Sequence, residues 1–376
     1  MSVANRYPQD LQEQQLARPF ALKPNRILRT YRGGAVLEAF RGYPNPQDGF
    51  YPEDWLGSTA TSRTRTHSTE GLSTISVEGR EVILRDLIRD LPIQMLGEDH
   101  VQKFGPDPFM LVKLLDSAER LRIQVHPTCD QARSLFGTNH GKTEAWIVLE
   151  TRCMDGVKPY ILLGFREGVI ADDFKEAVLN QRADGLEAML HRIEVRPGDV
   201  FLVNAGTPHA IGTGVFMVEI QEPSDLTINV EAVGNDFKAE SGANHLGIGW
   251  DKALGLFNYT GSSFLDNLKS HKINASLVRH GPGASEHAIL LGEEVEPYFG
   301  VVQYTVTESI SIGLKTFCIA IVIDGEGQIL SRDRELTIQR GDAFFMPAIL
   351  GSYDLVSRCS KKPLKVLNCY PPSAYA

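Results

Sequence analysis

The chain lacks the features that mark secreted, disulfide-rich or membrane-spanning proteins. Its 376 residues include only five cysteines, an odd number, and no two of them form a Cys-x-x-Cys pair. This usage fits a reducing compartment better than a disulfide framework. No run of about 18 apolar residues occurs, and residues 1–20 contain no apolar segment of the kind found in signal peptides. We therefore expect a cytoplasmic protein that does not associate with a membrane.

Positive charge is also scarce. The formal net charge is -9, and the one short basic stretch, SKKPLK at 360–365, has the composition of a solvated surface segment. Proteins that bind nucleic acids usually carry a basic face or stripe, so a nucleic-acid partner is not expected. We predict a small-molecule partner instead, and we expect a monomer or a homodimer.

Short strands separated by Gly and Pro turns are abundant. The 34 glycines and 20 prolines divide most of the chain into short apolar segments, most regularly in residues 261–376. Regularly spaced short strands are typical of β-sandwiches and β-barrels. Residues 81–97 and 171–193 instead have apolar residues at helical spacing. The sequence thus predicts a mainly β fold with a helical accessory portion, preceded by a polar arm at 1–20.

Two segments of the chain resemble each other. VRPGDVFLVNAGTPHAIG at 195–212 and IQRGDAFFMPAILGSYDL at 338–355 both have a Gly-Asp turn, an apolar strand and a turn of small residues. Two such copies suggest two related β-barrels. His209 lies in the turn of the first copy, whereas residues 348–353 of the second copy include no metal-ligating type. We expect the first barrel to carry the chemistry and the second to be structural.

Four polar side chains fall in segments that otherwise have the composition of strands. Gln124 and His126 are two residues apart, so they share one face of an extended strand. Glu144 begins another apolar strand, and His209 follows a Gly-Thr-Pro turn. Buried polar groups need partners, and two imidazoles, a carboxylate and an amide suit Zn²⁺, with Mn²⁺, Co²⁺ and Fe²⁺ as competitors. The four side chains are candidate ligands of one ion that substrate oxygens could reach.

Four motifs occur in order along the chain: QVHP at 124–127, GKTEAW at 141–146, GTPHAIG at 206–212 and EIQEPSD at 219–225. In order and spacing they are similar to the signature segments of the class I mannose-6-phosphate isomerases, most clearly between residues 105 and 228. The resemblance implies a double cupin, that is, two jelly-roll or β-barrel modules with a helical portion. We predict a metal-binding cupin domain at 1–260, with a helical insertion at 171–193, and a degenerate cupin domain without metal ligands at 261–376.

The resemblance also implies an activity and a set of site residues. The family's reaction is a zinc-dependent aldose–ketose isomerisation that interconverts mannose 6-phosphate and fructose 6-phosphate through a cis-enediol, with one zinc per chain. The implied metal ligands are Gln124, His126, Glu144 and His209. The candidate catalytic residues are Lys142, Glu219 and Asn229. The candidate substrate- or phosphate-binding residues are Lys113 and Arg122. On an extended segment Lys142 would share the face of Glu144 and point toward the metal.

Two of these positions depart from the family pattern. Asn229 lies where the family has an arginine, and a neutral amide cannot supply the cation or the fixed fork that arginine offers to an anion. Arg122 lies where the family usually has a serine that helps to hold phosphate, and it shares the strand face of Gln124. Either the chain is a natural relative in which Arg122 replaces part of the lost cation, or Asn229 is an engineered substitution that suppresses turnover. The sequence does not decide between these explanations.

Three functions stay open. The first is the isomerase, which the complete ligand set, Lys142 and Lys113 support. The second is a non-catalytic or engineered-inactive sugar-binding metal cupin, which Asn229 supports. The third is a metal cupin of another reaction type, such as a dioxygenase. The additional ligand Gln124 argues against it, because non-haem Fe(II) oxygenases use two histidines and one carboxylate with open positions.

Overall fold

The computed structural model of the chain describes residues 13–63, 67–231, 244–332 and 334–374. The strands, in chain order, are β1 Phe20–Ala21, β2 Arg26–Ile27, β3 Glu53–Leu56, β4 Thr74–Val77, β5 Arg80–Ile83, β6 Leu111–Ser117, β7 Gln124–Val125, β8 Glu144–Thr151, β9 Tyr160–Phe165, β10 Leu190–Glu194, β11 Val200–Val203, β12 His209–Ile211, β13 Val215–Gln221, β14 Ile228–Asn229, β15 Lys272–Ile273, β16 Ser276–Gly281, β17 Ala284–Leu290, β18 Gly300–Val306, β19 Ser309–Gly313, β20 Cys318–Asp324, β21 Glu326–Ser331, β22 Arg334–Gln339, β23 Ala343–Met346, β24 Ser352–Ser357 and β25 Leu364–Tyr370.

In the described ranges the helices are fewer than the strands, and all are short. They are α1 Glu13–Leu16, α2 Ala35–Phe40, α3 Leu84–Asp90, α4 Pro92–Leu96, α5 Glu98–Phe104, α6 Cys129–Phe136, α7 Ala171–Leu179, α8 Ala183–Ala188, α9 Trp250–Leu254 and α10 Phe264–His271, with a 3-10 turn at Ala348–Leu350. Strands dominate, which confirms the predicted mainly β class. Among these helices none is long and apolar enough to cross a bilayer.

The first barrel is formed by two facing sheets. One has seven strands in the order β15-β11-β8-β13-β6-β3-β2, and the other has five in the order β10-β9-β12-β7-β14. Alternation along β8 explains why this segment is a strand with two buried faces. Trp146 and Val148 point into the barrel core, whereas Ala145 and Ile147 point to the opposite face of the sheet.

The second barrel repeats this plan. A seven-stranded sheet, β1-β23-β20-β25-β18-β17-β16, faces a four-stranded sheet, β19-β24-β21-β22. Along β20, Cys318 and Ala320 point into the second barrel, whereas Ile319 and Ile321 join the core that also contains Ile147. The two seven-stranded sheets therefore pack face to face, and the largest apolar core lies between the barrels.

The resemblance between 195–212 and 338–355 reflects a real structural repeat. Asp199 Oδ2 accepts from the Arg196 amide at 2.9 Å, and Asp342 Oδ2 accepts from the Gln339 amide at the same distance. In register, Glu144 pairs with Val203 in the first barrel, and Cys318 pairs with Met346 in the second. Cys318 thus occupies in the second barrel the strand position that Glu144 occupies in the first.

Each barrel takes one short strand from the other side of the predicted boundary at 260/261. Phe20–Ala21 pairs with β23 of the second barrel, and Lys272–Ile273 pairs with β11 of the first. The division into 1–260 and 261–376 stays a proposal. The boundary separates the interior cores of the two barrels, but two of the strand pairings cross it.

The helical segments differ in detail from the sequence prediction. Within 171–193, helices α7 and α8 pack on the outer face of the five-stranded sheet, and the chain has become strand β10 by Leu190. Within 81–97 the helix begins only at Leu84, because residues 80–83 pair with β4, and Pro92 starts a separate helix. Of the predicted arm at 1–20, residues 1–12 lie outside the described part.

Candidate metal centre and its cavity

Three buried side chains converge inside the first barrel. Glu144 Oε2 lies 3.3 Å from His126 Nε2, and Glu144 Oε1 lies 3.4 Å from His209 Nε2. The ligand atoms of these three residues all lie within 4.8 Å of one another. The separations match three donors arranged around a single ion rather than bonded to one another. Residues far apart in sequence meet here because β7 and β12 pair, with Gln124 opposite His209.

The two imidazoles are oriented by backbone carbonyls. His126 Nδ1 lies 2.9 Å from the Leu226 carbonyl oxygen, and His209 Nδ1 lies 2.8 Å from that of Thr207. A donor Nδ1–H leaves Nε2 with a free lone pair, which is the tautomer that a metal ligand needs. Both Nε2 atoms point toward Glu144. The backbone therefore fixes the tautomers before any ion binds.

Glu144 and Gln124 complete the donor set. Glu144 Oε1 accepts from the Trp146 indole N–H at 3.0 Å, whereas Oε2 is buried and accepts no hydrogen bond from the described residues. A buried carboxylate oxygen needs positive charge beside it. Lys142 Nζ lies 3.1 Å from this oxygen and His126 Nε2 lies 3.3 Å from it, so the oxygen also fits a ligand position. Gln124 Nε2 lies 3.2 Å from His209 Nε2, and rotating the amide by half a turn would present its Oε1 there. The four residues fit a divalent ion.

Burial and neighbouring charges shift the pKa values of the three converging side chains. Burial, together with the Lys142 ammonium, lowers the pKa of His126 to about 3, and burial lowers the pKa of His209. Burial works against ionisation of Glu144, but Lys142 and His126 outweigh it and hold its pKa well below the usual range. Near neutral pH the imidazoles are neutral and the carboxyl is ionised. These are the protonation states that metal binding requires.

Lys142 lies against the candidate ligands. Its Nζ is 3.0 Å from His126 Nε2 and 3.1 Å from Glu144 Oε2, and its side chain is buried. Lys142 and Gln124 also line a cavity of about 830 Å³. The three convergent side chains therefore lie one layer behind the cavity wall. A small molecule in the cavity could reach both the lysine and an ion held by the ligands.

Lys113 and Glu219 form a buried ion pair in the same cavity. They lie opposite each other on β6 and β13, and the Nζ–Oε2 distance is 2.7 Å. Burial opposes the charge on Lys113, but Glu219 and Glu53 outweigh it and raise its pKa. Burial raises the pKa of Glu219, and Lys113 opposes that rise. Burial thus favours the protonated form of the Glu219 carboxyl, and the ion pair with Lys113 works against it.

Replacing Lys113 by methionine is expected to destabilise the fold by about 3–5 kcal/mol, because Glu219 would stay buried without its cation. Denaturant unfolding of the metal-free protein measures this loss. The double variant K113M/E219L, which removes both charges, should recover most of the stability. A loss below about 1 kcal/mol in K113M, as for an exposed ion pair, would contradict this account of the pair.

Arg122 and Asn229 line the cavity on its other side. Arg122 donates to Asn244 Oδ1 at 3.0 Å and to Thr30 Oγ1 at 3.2 Å, and no carboxylate in the described ranges forms an ion pair with it. Burial, only partly offset by Glu231, lowers its pKa. Asn229 pairs in register with Gln124, and the backbone amide of Asn229 donates to the backbone carbonyl of Asn244 at 3.0 Å. Arg122 thus presents to the cavity a half-buried guanidinium whose hydrogen bonds, among the described residues, go only to neutral acceptors.

Sequence reasoning missed a second polar cluster in the cavity wall. Arg29 donates to both carboxylate oxygens of Glu53 at 2.8 and 2.9 Å and contacts Asp225 at 3.3 Å. Tyr31 and the Trp55 indole also donate to Glu53, each at 2.8 Å. The pattern Glu-x-Trp, present at 53–55 and again at 144–146, was the available signal. In both places the tryptophan N–H orients the glutamate two residues before it.

Two family models match the chain. The model of the phosphomannose isomerase type I catalytic domain matches residues 31–144, and that of the mannose-6-phosphate isomerase cupin domain matches residues 293–361. The first range contains Lys113, Lys142 and three of the four candidate ligands. The second range lies within the second barrel.

Curated relatives align over most of the chain. The mannose-6-phosphate isomerase ManA of Bacillus subtilis is 26% identical over 293 residues, which cover 74% of this chain and 82% of that protein. The mannose-6-phosphate isomerase of Streptococcus mutans is 26% identical over 282 residues, covering 73% and 81%. A shorter match to the enzyme of Salmonella typhimurium is 38% identical over 92 residues, or 24% of this chain and 21% of that protein.

Solved structures share the fold. The mannose 6-phosphate isomerase from Bacillus subtilis superposes with a TM-score of 0.71 at 22% identity, over 94% of this chain and 99% of that one. A zinc-bound holo mannose 6-phosphate isomerase superposes with the same TM-score at 17% identity and the same coverage. At these identities the structural likeness concerns the fold alone.

Proposed function

The chain belongs to the class I mannose-6-phosphate isomerases, and from this we propose that it interconverts mannose 6-phosphate and fructose 6-phosphate. The observation that carries the proposal is the contact of Lys142 with His126 and Glu144 at the wall of a cavity large enough for a sugar phosphate. The contact joins a candidate proton-transfer group to a candidate metal-ligand set, and a metal-assisted aldose–ketose isomerisation uses both.

We propose one zinc ion per chain, held by Gln124, His126, Glu144 and His209. When bound, such an ion would polarise the carbonyl of the sugar. The second barrel supports the stoichiometry, because the strand positions equivalent to Glu144 and Glu219 are Cys318 and Asn368. The Asn368 amide is engaged with the hydroxyls of Tyr353 and Tyr370 at 2.6 and 2.9 Å.

The isomerisation needs one proton moved between neighbouring carbons. A base takes the proton from C2 of the aldose while O1 gains a proton, which gives a cis-enediol. O2 then loses its proton while C1 gains one, which gives the ketose. Lys142 is our first candidate for this transfer or for the transfer between the sugar oxygens, because it is buried and adjacent to the ligands. Glu219, whose pKa burial raises, is the second candidate.

We propose that Arg122 binds the phosphate, and the distribution of charge in the cavity supports this. Lys113 shares its charge with Glu219, and Arg29 shares its charge with Glu53 and Asp225. Arg122 binds only neutral oxygens, so its guanidinium can accept a bidentate anion without breaking an ion pair. Lys113 stays a secondary proposal for the same role. Asn229 would contact substrate without adding charge.

Replacing Arg122 by serine, the residue usual in the family, is expected to weaken binding of the phosphorylated sugar about tenfold or more. Calorimetric titration of the zinc-loaded protein with fructose 6-phosphate measures this change, and titration with unphosphorylated fructose is the internal control. If Asn229 reflects natural drift, only the phosphorylated ligand loses affinity. Equal affinity of the wild type and R122S for fructose 6-phosphate would refute the assignment.

Replacing Asn229 by arginine tests the alternative that the chain binds sugar without turning it over. If Asn229 suppresses an otherwise active site, N229R should raise turnover about a hundredfold, the effect of restoring one preorganised donor to a reacting oxyanion. Initial rates of fructose 6-phosphate formation measure this gain. Unchanged turnover in N229R, together with measurable turnover in the wild type, would reject the suppressed-enzyme explanation.

A coupled assay for fructose 6-phosphate tests the proposed function directly. Turnover should disappear after treatment with a chelator and return with Zn²⁺, and oxygen uptake should be absent. Sugar binding without turnover would instead support the non-catalytic cupin.

We further propose a cytoplasmic location, which the five unpaired cysteines support. The expectation of a monomer or homodimer stays a prediction.

A further inference from the structure

Lys142 lies just outside the sheet that holds Glu144 in place. Glu144 begins strand β8 and is held on both sides, because it pairs with Val203 of β11 and with Gln221 of β13. Lys142 precedes the strand and belongs to the loop after helix α6. The ladder therefore fixes Glu144 directly, whereas the position of Lys142 depends on what holds residues 137–143.

Glu222 binds the residue between Lys142 and Glu144 at two points. The Thr143 amide donates to Glu222 Oε2 at 2.8 Å, and the Glu222 amide donates to the Thr143 carbonyl at 3.1 Å. Glu222 is only 7% exposed, and a carboxylate that accepts a backbone N–H in such surroundings forms a strong, charge-assisted hydrogen bond. Thr143 cannot shift without breaking both contacts.

The same carboxylate reaches a second segment beside the site. Its Oε1 accepts from the Cys129 thiol at 3.0 Å, at the first residue of helix α6. The Lys142 loop is pressed against this helix start, because a Cβ on Gly141 would lie 2.7 Å from the Cys129 amide nitrogen. The Lys142 amide also donates to the Pro127 carbonyl at 3.0 Å. Glu222 thus joins the loop to the segment that follows His126.

We propose that Glu222 is a positioning residue that holds the Lys142 ammonium against the metal-ligand set by binding the Thr143 amide and the Cys129 thiol. Glu222 is not among the residues that line the cavity, and in the described part of the chain none of its hydrogen bonds goes to a candidate ligand. Its effect on chemistry therefore passes through Lys142. The kinetic consequence rests on the proposed isomerase function, whereas the structural consequence for the loop does not.

Hydrogen–deuterium exchange tests the structural consequence without any need for turnover. Glu222→Leu keeps a similar side-chain volume and removes both acceptors, and Glu222→Gln retains an acceptor for the Thr143 amide. In E222L the amides of residues 137–143 should exchange at least about tenfold faster than in the wild type, and in E222Q within about threefold of it. Glu176→Ala, an exposed acid on α7, is the matched control. Unchanged exchange in E222L overturns the proposal.

Kinetics tests whether the effect passes through Lys142. E222L should lower kcat about tenfold or more with KM within about threefold, E222Q should restore most of it, and E222L should cause no further loss in the K142M background. Equal losses in the wild-type and K142M backgrounds would overturn the proposal. Glu222→Ser, which also removes the acceptors, is measured in parallel so that one misfolded variant does not decide the outcome. A wild type without turnover would reject the isomerase function, and the exchange result would still test the role of Glu222.

Discussion

Replacing His126 by alanine is expected to lower zinc affinity at least about a hundredfold and turnover about a thousandfold. His126 supplies one of the Nε2 donors, and its Nδ1 contact with the Leu226 carbonyl holds the ring in the tautomer that ligation needs. Loss of a metal that contributes several kcal/mol to the transition state corresponds to a factor of about a thousand or more in rate. Zinc titration and initial rates measure the two losses.

His191 provides a matched control for this experiment. It is buried in the same barrel, and its Nε2 lies 3.0 Å from the Ser262 carbonyl, away from the ligand set. His191→Ala should leave zinc affinity within about threefold of the wild type, whatever it costs in stability. Retention of zinc and turnover by H126A would show that the converging side chains form a structural cluster instead of a metal centre.

Replacing Lys142 by methionine should lower turnover about a thousandfold while zinc binding is kept or strengthened. A positioned acid–base group typically contributes a factor of about 10²–10⁴ to the rate. The ammonium also lies 3.0 Å from His126 Nε2 and 3.1 Å from Glu144 Oε2, where its charge repels an incoming cation. The opposite signs of the two effects separate a catalytic lysine from a structural one.

Exposed Lys158 serves as the control for Lys142. It pairs with Glu194 on the barrel surface, with its side chain 68% exposed, so K158M should change neither rate nor zinc affinity measurably. Turnover in K142M within about tenfold of the wild type would remove Lys142 from the mechanism. Loss of zinc in K142M would instead mean that the lysine supports the ligand set.

The local part of the site could be predicted from the sequence because it depends on strand periodicity. The two-residue spacing of Gln124 and His126 predicts a shared face, and the structure brings both to the same group of side chains. The Gly-Asp repeat likewise predicts two related barrels, and the two turns match in their aspartate hydrogen bonds and in strand register. Period and turn chemistry are local properties, so one sequence is enough to reveal them.

The rest of the site depends on contacts between distant segments. Arg29 meets Asp225 across 196 positions of sequence, and Glu222 meets Cys129 across 93. No local period marks such pairs, because they arise from how the strands order within the sheets. The same reason applies to the strands at 20–21 and 272–273, each of which pairs with the barrel on the other side of the predicted boundary. A segment of two residues is too short to show a strand period in the sequence. The proposed role of Glu222 is therefore accessible only from the structure.

The central claim is that Gln124, His126, Glu144 and His209 bind one divalent ion within the first barrel. Anomalous diffraction at the zinc edge, from crystals of zinc-loaded protein, tests it most directly. We expect one peak per chain, at about 2.0–2.2 Å from His126 Nε2, His209 Nε2 and a Glu144 oxygen. The absence of a peak between these atoms, or a peak in the second barrel near Cys318, would contradict the account.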